Sequence, residues 1–311
     1  MNYRECAKLL KEQDQILLIT HREPDGDTAG SAAALCCALK RLGKTAWLYP
    51  NPGFTRKLAP YLGDLIAPEG FQESCRVSID LADEKLFPPD FTGEVLLCID
   101  HHGSNTHYAE HELVRAEKSA CGEIVLELIK SLCGNVTERE ATLLYIAVTT
   151  DTGCFQYANT NTQTLSAASE LLRLGAKQHE VSQVFFRKVS PARLRLEGMI
   201  YSTLRFYRDG QIVAAVITQD MLRESGASKE DMDDLASLSG RAEGSILNLT
   251  IREQPDGMSR VSVRSNPGID SCAICAAFGG GGHSMAAGCN ISSPPEKALT
   301  MLLDVIGALV P

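Results

Sequence analysis

The sequence is poor in aromatic residues, which make up 6% of its 311 positions and include one tryptophan. A core must therefore rest on Leu, Ile, Val and Ala, and the 44% hydrophobic content is enough for one. Positive charge is also short. Thirty Lys and Arg face 39 Asp and Glu, a formal net charge of -9 with a pI near 5.3. Proteins that hold long duplex DNA are usually basic, because neutralising phosphates supplies most of the affinity. Long duplex DNA is therefore not an expected partner, whereas a short phosphorylated ligand held by a few local cations fits. The N-terminal stretch MNYRECAKLLKEQDQILLIT has no secretory apolar segment. No apolar run nears the ~20 residues of a membrane helix, so a cytoplasmic protein with no membrane partner is expected. The eleven cysteines form no compact secreted framework and read as reduced, mostly buried thiols. Cys272 and Cys275 make a C-x-x-C, but no second such pair completes a zinc site. Their segment reads as a helix with both thiols on an apolar face. Internal repeats and low-complexity tracts are absent as well.

What is present is an alternation of strands and helices. Residues 3–13 read as a helix, 16–20 as a short apolar strand, and 28–42 as an Ala- and Leu-rich helix with Gly43 at its C-cap. Strands come next at 45–49, 76–80 and 94–100, and helices at 119–133, 137–150 and 161–174. This order predicts an α/β fold with a mostly parallel sheet flanked by helices. Such sheets place ligands beyond the carboxyl ends of their strands. The character changes over 178–200, where an amphipathic, basic stretch is interrupted by Pro191. Beyond it, strands are expected at 211–217, 245–253 and 261–264, the last two joined by the turn Gln254-Pro-Asp-Gly257. A final helix spans about 295–309. The expected division is a catalytic domain over 1–185, a linker over 186–203 and a smaller α+β domain over 204–311.

Polar clusters fall where the predicted elements end. His21, Asp25 and Asp27 lie in a tight loop after the first strand, shaped by Pro24 and Gly26. Asp80 ends one strand, and Asp100, His101 and His102 end another. Asp151 closes a helix of apolar residues. Each has an ordinary reading: an Asp-Gly turn, a helix N-cap or a chance His pair. Together they are hard to explain as packing, because buried carboxylates without a cation are costly. Oxygen-rich sites with one or two imidazoles suit Mn²⁺ or Mg²⁺ better than structural zinc. Two such ions ~3.5–4 Å apart form a clamp for attack on phosphorus. His107 and His111, four apart, would share one face of a helix, and a solvated surface role is expected for them.

Read together, HREPDGDTAGS, SID, DHH and TDTGCF resemble motifs one to four of the DHH phosphoesterase family, in the same order and with compatible spacing. The resemblance implies that His21 and Asp25 bind a first metal ion, that Asp27, His101 and Asp151 bind a second, and that Asp80 bridges them. It implies that Asp100 orients His101 or a backbone group and that His102 faces the substrate phosphate. Two Mn²⁺ ions are implied, with Mg²⁺ as the alternative. The implied nucleophile is a hydroxide between them, so no protein nucleophile is assigned. Thr28 and Ala29 depart from the more usual aliphatic pair, which touches packing and leaves the ligand positions intact.

In the second half, four glycines from Gly279 to Gly282 precede His283. Consecutive glycines let backbone N–H groups crowd around an anion. A flexible linker fits poorly, because the run sits between apolar helical segments. GGGGH resembles the nucleotide-binding signature of the DHHA1 domain, which implies substrate contacts at Gly280, Gly281, Gly282 and His283. Arg264, in VSVRSN, stands where that domain has a substrate-binding arginine, and its guanidinium suits bidentate phosphate recognition. Substrate is then expected between the domains, with closure about the linker. The compact two-domain layout is similar to that of the family's bacterial oligoribonucleases. It implies hydrolysis of short single-stranded RNA to mononucleotides and of 3′-phosphoadenosine 5′-phosphate (pAp) to AMP. Linear dinucleotides such as pApA are the alternative substrates. A non-catalytic nucleotide binder is the competing class, and it would be expected to have lost a ligand position. The resemblance also allows a homodimer, for which the sequence carries no interface signal.

Overall fold

The computed structural model describes residues 1–232 and 235–309. The chain divides into two units, Met1–Lys188 and Val189–Pro311. The first unit opens with helix α1 (Tyr3–Glu12), started by a capping box in which Asn2 accepts from Arg4 and Glu5 N–H groups and Glu5 reaches back to the Asn2 N–H. Strand β1 (Ile16–Ile19) is next, then α2 (Gly26–Arg41), β2 (Ala46–Leu48), a single turn α3 (Ala59–Leu62), β3 (Cys75–Ile79), β4 (Leu97–Asp100) and β5 (His111–Val114). The five strands form one parallel sheet in the order β2-β1-β3-β4-β5. Both β1 and β4 are buried along their whole length, as expected for central parallel strands with cover on both faces.

Helices α4 (Cys121–Cys133), α5 (Glu138–Asp151), α6 (Thr162–Arg173) and α7 (Gln178–Val181) complete this unit, and a π turn spans 182–187. Helix α4 stops at Gly134, whose φ of 77° takes the left-handed C-cap that glycine favours. Helix α5 starts with a second capping box between Thr137 and Glu140. Helix α2 is built from small residues, and this lets it sit hard against α5. A Cβ added at Gly30 would lie 2.4 Å from the Leu143 carbonyl oxygen, and one at Gly26 would strike the Thr150 side chain.

The second unit begins with α8 (Pro191–Ser202), where the sequence suggests an open linker over 186–203. Pro191 sits in the first turn of this helix, with the Ser190 hydroxyl accepting from the Arg193 N–H as N-cap. Leu196 and Ile200 are fully buried against Ala215 and Ile217. The rest of the unit comprises strands β6 (Arg205–Tyr207) and β7 (Ile212–Ile217), helix α9 (Gln219–Ser225), strands β8 (Leu247–Glu253) and β9 (Ser259–Ser265), helix α10 (Ser271–Ala276), strands β10 (Gly281–His283) and β11 (Ala286–Ile291) and helix α11 (Pro295–Leu309). The strands form a mixed six-stranded sheet in the order β10-β11-β9-β8-β7-β6, with β7 and β8 parallel and the other pairs antiparallel. The expected hairpin is β8-β9, turned at Gly257 with φ 77°. Among the described residues no helix is long and apolar enough to cross a membrane.

Candidate metal centre

Each polar cluster of the first unit is delivered by the end of a regular element. Strand β1 ends just before His21, β3 just before Asp80, and β4 in Asp100, with His101 and His102 next. Asp25 is the N-cap of α2, its Oδ1 accepting from the Asp27 and Thr28 N–H groups. Asp151 is the last residue of α5.

These ends converge into three groups whose ligand atoms all lie within 4.8 Å of one another: His21, Asp25 and Asp80; Asp27, His101 and Asp151; and Asp80, His101 and His102. His21 Nε2 is 3.8 Å from Asp25 Oδ1. His101 Nε2 is 3.7 Å from Asp27 Oδ2, 3.4 Å from Asp80 Oδ1 and 3.6 Å from Asp151 Oδ2. Asp80 thus belongs to both the His21 side and the His101 side. The residues fit a cation by an independent sign: Asp80 is 3% exposed, and its Oδ1 has no hydrogen-bond partner. A buried carboxylate oxygen left unpaired calls for an explanation. Its backbone, at φ 57°, is held in the left-handed region and anchored by the Asp80 N–H to the Ile99 carbonyl.

The electrostatics agree. Burial, then the charges of Asp27, Asp25, Asp100 and Asp151, pushes the Asp80 carboxyl well above the ordinary carboxylate range. Burial, then Asp151 and Asp25, does the same to Asp27, although the Cys121 and Gly122 N–H groups at the start of α4 donate to it at 2.7 and 2.9 Å. Burial also raises Asp151, against the opposing charge of His101. For Asp25, burial acts to raise the carboxyl, but the bond and charge of His21 and two backbone N–H groups together outweigh it and lower the value. Carboxylates crowded this closely, with Asp27 and Asp80 buried among them, are a ready-made cation site.

His102 stands apart from the ligand cluster in its partner. Its Nδ1 lies 2.7 Å from Asp100 Oδ1, and this bond, more than the opposing burial, raises the imidazole above its ordinary value. Burial acts to raise Asp100, but the His102 and Asn105 contacts win and lower it. Asp100 Oδ1 also accepts from the His101 and His102 N–H groups, and Oδ2 accepts from Asn105 Nδ2 at 2.6 Å.

Several supporting residues carry no signal in the sequence. Asn51 donates to the Thr20 hydroxyl and the His21 carbonyl, fixing the turn that carries His21. His101 Nδ1 pairs with the Lys118 carbonyl. Glu123 is 2% exposed and accepts from the Ser119 N–H and the Thr164 hydroxyl, with Lys118 Nζ 3.5 Å away. Asn159 donates to the carbonyls of Ser119 and Asp151. Glu123 thus holds the 118–119 segment on which both His101 and the Asp151 end of α5 lean. Glu123→Ala is expected to weaken Mn²⁺ binding by about 10–100-fold, the usual cost of losing a ligand's support. Calorimetric titration of the metal checks this, and an unchanged affinity would confine Glu123 to a packing role.

Other expectations are corrected. His107 and His111 do not share a helix face: His107 lies in a loop at φ 57°, and His111 opens strand β5. His107 Nδ1 pairs with Glu112 instead. Only the second half of the glycine run is strand: Gly281 and Gly282 open the edge strand β10, and Gly279, at φ 71°, and Gly280 lead into it. Gly281 and His283 pair with Gly288 and Ala286 of β11, and the three rows Arg264–Ala286–His283, Ser262–Gly288–Gly281 and Arg260–Asn290 result from the register. Arg264 and His283 therefore share one face of the sheet. Gly280 and Gly282 are needed for close backbone packing, since a Cβ at either would lie 2.3 or 2.5 Å from a β11 carbonyl oxygen. Gly281 is open, with nothing within 4 Å. Cys272 and Cys275 both lie on α10 as free thiols.

A parallel α/β unit with a carboxylate–imidazole cluster at the carboxyl ends of its strands, joined to a mixed-sheet unit with a glycine edge strand, defines a two-domain α/β protein with a candidate metal site. The chain matches the DHH family, N-terminal domain, over residues 15–148 and the DHHA1 domain over 209–310. It belongs to the DHH phosphoesterase family. A relative from Thermus thermophilus, the bifunctional oligoribonuclease and PAP phosphatase NrnA, is 34% identical, covering 97% of this chain and 93% of the relative. The Bacillus subtilis protein of the same name is 26% identical over 94% of each chain. Among solved structures, an exopolyphosphatase-related protein from Bacteroides fragilis shares the fold at a TM-score of 0.87 and 23% identity, covering 98% of this chain and 95% of that one. The exonuclease RecJ bound to manganese superposes at a TM-score of 0.58 and 14% identity, over 99% and 94%.

Proposed function

We propose that this protein is a phosphoesterase that hydrolyses short single-stranded RNA to mononucleotides and pAp to AMP, as the names of its NrnA relatives suggest. The observation that carries the reading is Asp80, a buried carboxylate with an unpaired oxygen that groups with His21 and Asp25 on one side and with His101, whose Nε2 is 3.4 Å away, on the other. His21 and Asp25 would hold one ion, Asp27, His101 and Asp151 a second, with Asp80 shared. Mn²⁺ suits this set of oxygen and imidazole donors, and Mg²⁺ is the alternative. When bound, a metal pair supplies Lewis-acid polarisation of the phosphoryl oxygens and an activated water.

The chain's own residues do the rest. Asp100 accepts from His102 Nδ1, orients that imidazole and favours its charged form, in which Nε2–H would donate to a substrate phosphate oxygen. No nucleophile is assigned to the protein itself, because an activated water meets that need. We assign substrate grip to the second domain, proposed as residues 204–311. There Arg264 supplies a planar fork for phosphate, His283 shares its face, and Gly281 leaves the backbone of β10 open.

The test is turnover of a 5′-phosphorylated RNA dinucleotide and of pAp, side by side with Mn²⁺, by wild type and Arg264→Ala. Wild type is expected to release mononucleotides from both. Arg264→Ala is expected to lower kcat/KM by about 10–100-fold, the loss of a charge-assisted phosphate contact of about 1.5–3 kcal/mol. No turnover of either substrate by wild type would overturn the reading. Faster turnover of pApA than of both would reassign the enzyme to linear dinucleotides.

A further inference from the structure

Asp80 is the strained residue of the centre. Its φ of 57° lies in the left-handed region. A residue other than glycine rarely takes that conformation, and keeps it only where the surroundings over-determine it. Those surroundings can be named. The Asp80 N–H bonds the Ile99 carbonyl of β4 at 2.8 Å. Two hydroxyl groups then hold the backbone on either side of it.

On the upstream side Thr28 Oγ1 donates to the Ile79 carbonyl at 2.7 Å. Thr28 and Ile79 are fully buried, and a buried carbonyl needs a donor. The Thr28 N–H donates at the same time to Asp25 Oδ1. One residue therefore ties the Asp25 cap of α2 to the strand end that carries Asp80.

On the downstream side the Tyr108 hydroxyl donates to the Leu81 carbonyl at 2.8 Å. With its one proton directed there, the Tyr108 oxygen is left to accept from the Ser78 hydroxyl, 2.7 Å away. Ser78 and Leu81 are both fully buried. Tyr108 thus bridges a residue before Asp80 and the residue after it. An edge contact with Phe87, ring centroids 5.5 Å apart, sets the Tyr108 ring in turn. Nearby, the Thr106 N–H donates to the Ala82 carbonyl at 2.8 Å, and Asn105 donates to Asp100 Oδ2. The segment 105–108 fastens the Asp100 loop to the turn that follows Asp80.

We infer that Thr28 and Tyr108 are positioning residues, whose hydroxyls fix the carbonyls on either side of Asp80 and so hold its carboxylate in place for metal. The inference rests on the reading of Asp80 as a shared ligand and deepens it, by naming what keeps a strained residue aimed.

Loss of a single hydroxyl tests each residue. Thr28→Val and Tyr108→Phe keep the shape of the side chain and remove the donor, whereas Thr28→Ser keeps the donor. Ser259→Ala is the comparison, since Ser259 is also buried and donates to a carbonyl, that of Ser293 in the second unit. Electron paramagnetic resonance of free Mn²⁺ reads metal affinity, scanning fluorimetry in EDTA reads the fold, and Mn²⁺-dependent turnover of pAp reads kcat. Thr28→Val and Tyr108→Phe are each expected to weaken Mn²⁺ binding about tenfold or more, the usual cost of losing a ligand's support. At saturating Mn²⁺ their kcat should return to within about threefold of wild type, because the bound ion selects the aimed conformation of Asp80. Thr28→Ser should bind Mn²⁺ like wild type. Ser259→Ala should lower the metal-free Tm and leave Mn²⁺ affinity unchanged.

Unchanged affinity in Thr28→Val overturns the role of Thr28, and unchanged affinity in Tyr108→Phe that of Tyr108, whatever happens to Tm. A loss of kcat that saturating Mn²⁺ does not restore overturns positioning for metal in the same way. No Mn²⁺ binding by wild type would overturn the reading of the centre itself, and the inference with it. Variant-sensitive Mn²⁺ binding without turnover of RNA or pAp would instead overturn the hydrolase reading and leave the positioning role standing.

Discussion

Asp80→Asn is expected to remove turnover and, with it, the stabilisation of the protein by Mn²⁺. Asp80 groups with His21 and Asp25 and also with His101, so its loss should disturb both sides of the cluster. Loss of a mere supporting partner costs about 10–100-fold, and loss of a shared ligand should cost at least about 100-fold in kcat/KM. The thermal effect is separable. A metal present at 100 times its Kd stabilises the form that binds it by about 2.7 kcal/mol. In a domain of this size that raises Tm by roughly 5–10 °C. Wild type should show the rise and the variant should not. Without metal the order is expected to reverse. The Asp80 carboxylate is then a buried charge among other carboxylates, with an oxygen that nothing satisfies. An amide of the same shape relieves that repulsion, so metal-free Asp80→Asn should melt no lower than metal-free wild type. Differential scanning fluorimetry with EDTA and with Mn²⁺ reads all four states. An undiminished Mn²⁺ shift in the variant would show that Asp80 is not a ligand.

Gly30→Ala is expected to be among the most damaging single-methyl changes in the first unit. The added Cβ would lie 2.4 Å from the Leu143 carbonyl oxygen and 3.2 Å from the Ala147 nitrogen. These are backbone atoms in the middle of α5, so they cannot swing aside as a side chain would. The two helices must part, and overpacking of this kind costs about 3 kcal/mol or more, a fall in Tm of roughly 6–12 °C. Metal affinity should fall as well, because α2 starts with Asp25 and Asp27 and α5 ends in Asp151. Gly63→Ala is the control, with nothing within 4 Å of its Cβ and an ordinary φ of −56°. Its Tm should stay within a degree or two. Equal behaviour of the two variants would mean that α2 and α5 can adjust at no cost.

Much of the first unit is legible in the sequence because apolar runs there end abruptly in ionisable residues. Strands β1, β3 and β4 are short and largely apolar, and each gives way at its carboxyl end to His21, Asp80 or the Asp100–His102 run. The same contrast marks the candidate ligands. The features that escape a reading of the sequence are set by partners far away in the chain. Strand β10 is made of glycines and a histidine, which have little preference for extended structure, and it exists because β11 pairs with it. Helix α8 reads as a linker because Pro191 looks like a break. Placed in the first turn behind Ser190, the same proline begins a helix. Glu123 and Asn159 are invisible for another reason. Their role lies in whose backbone they hold, and spacing along the chain says nothing about that.

The cysteines have a use that their lack of chemistry makes possible. Cys6, Cys36, Cys75, Cys98 and Cys121 are buried free thiols in the first unit, and Cys275 is a buried free thiol in the second. Burial pushes Cys6 and Cys36 up to about 12 and Cys75 up to about 11. The thiolate is the reactive form, so an alkylating reagent meets these groups only when the surrounding structure opens. Each unit therefore carries internal clocks of its own opening, distinguishable by mass along the chain. Cys121 is the most informative of them, because its N–H holds Asp27 while its sulfur lies beneath the carboxylates. The rate at which it is modified is a direct measure of how often the floor of the metal centre comes apart.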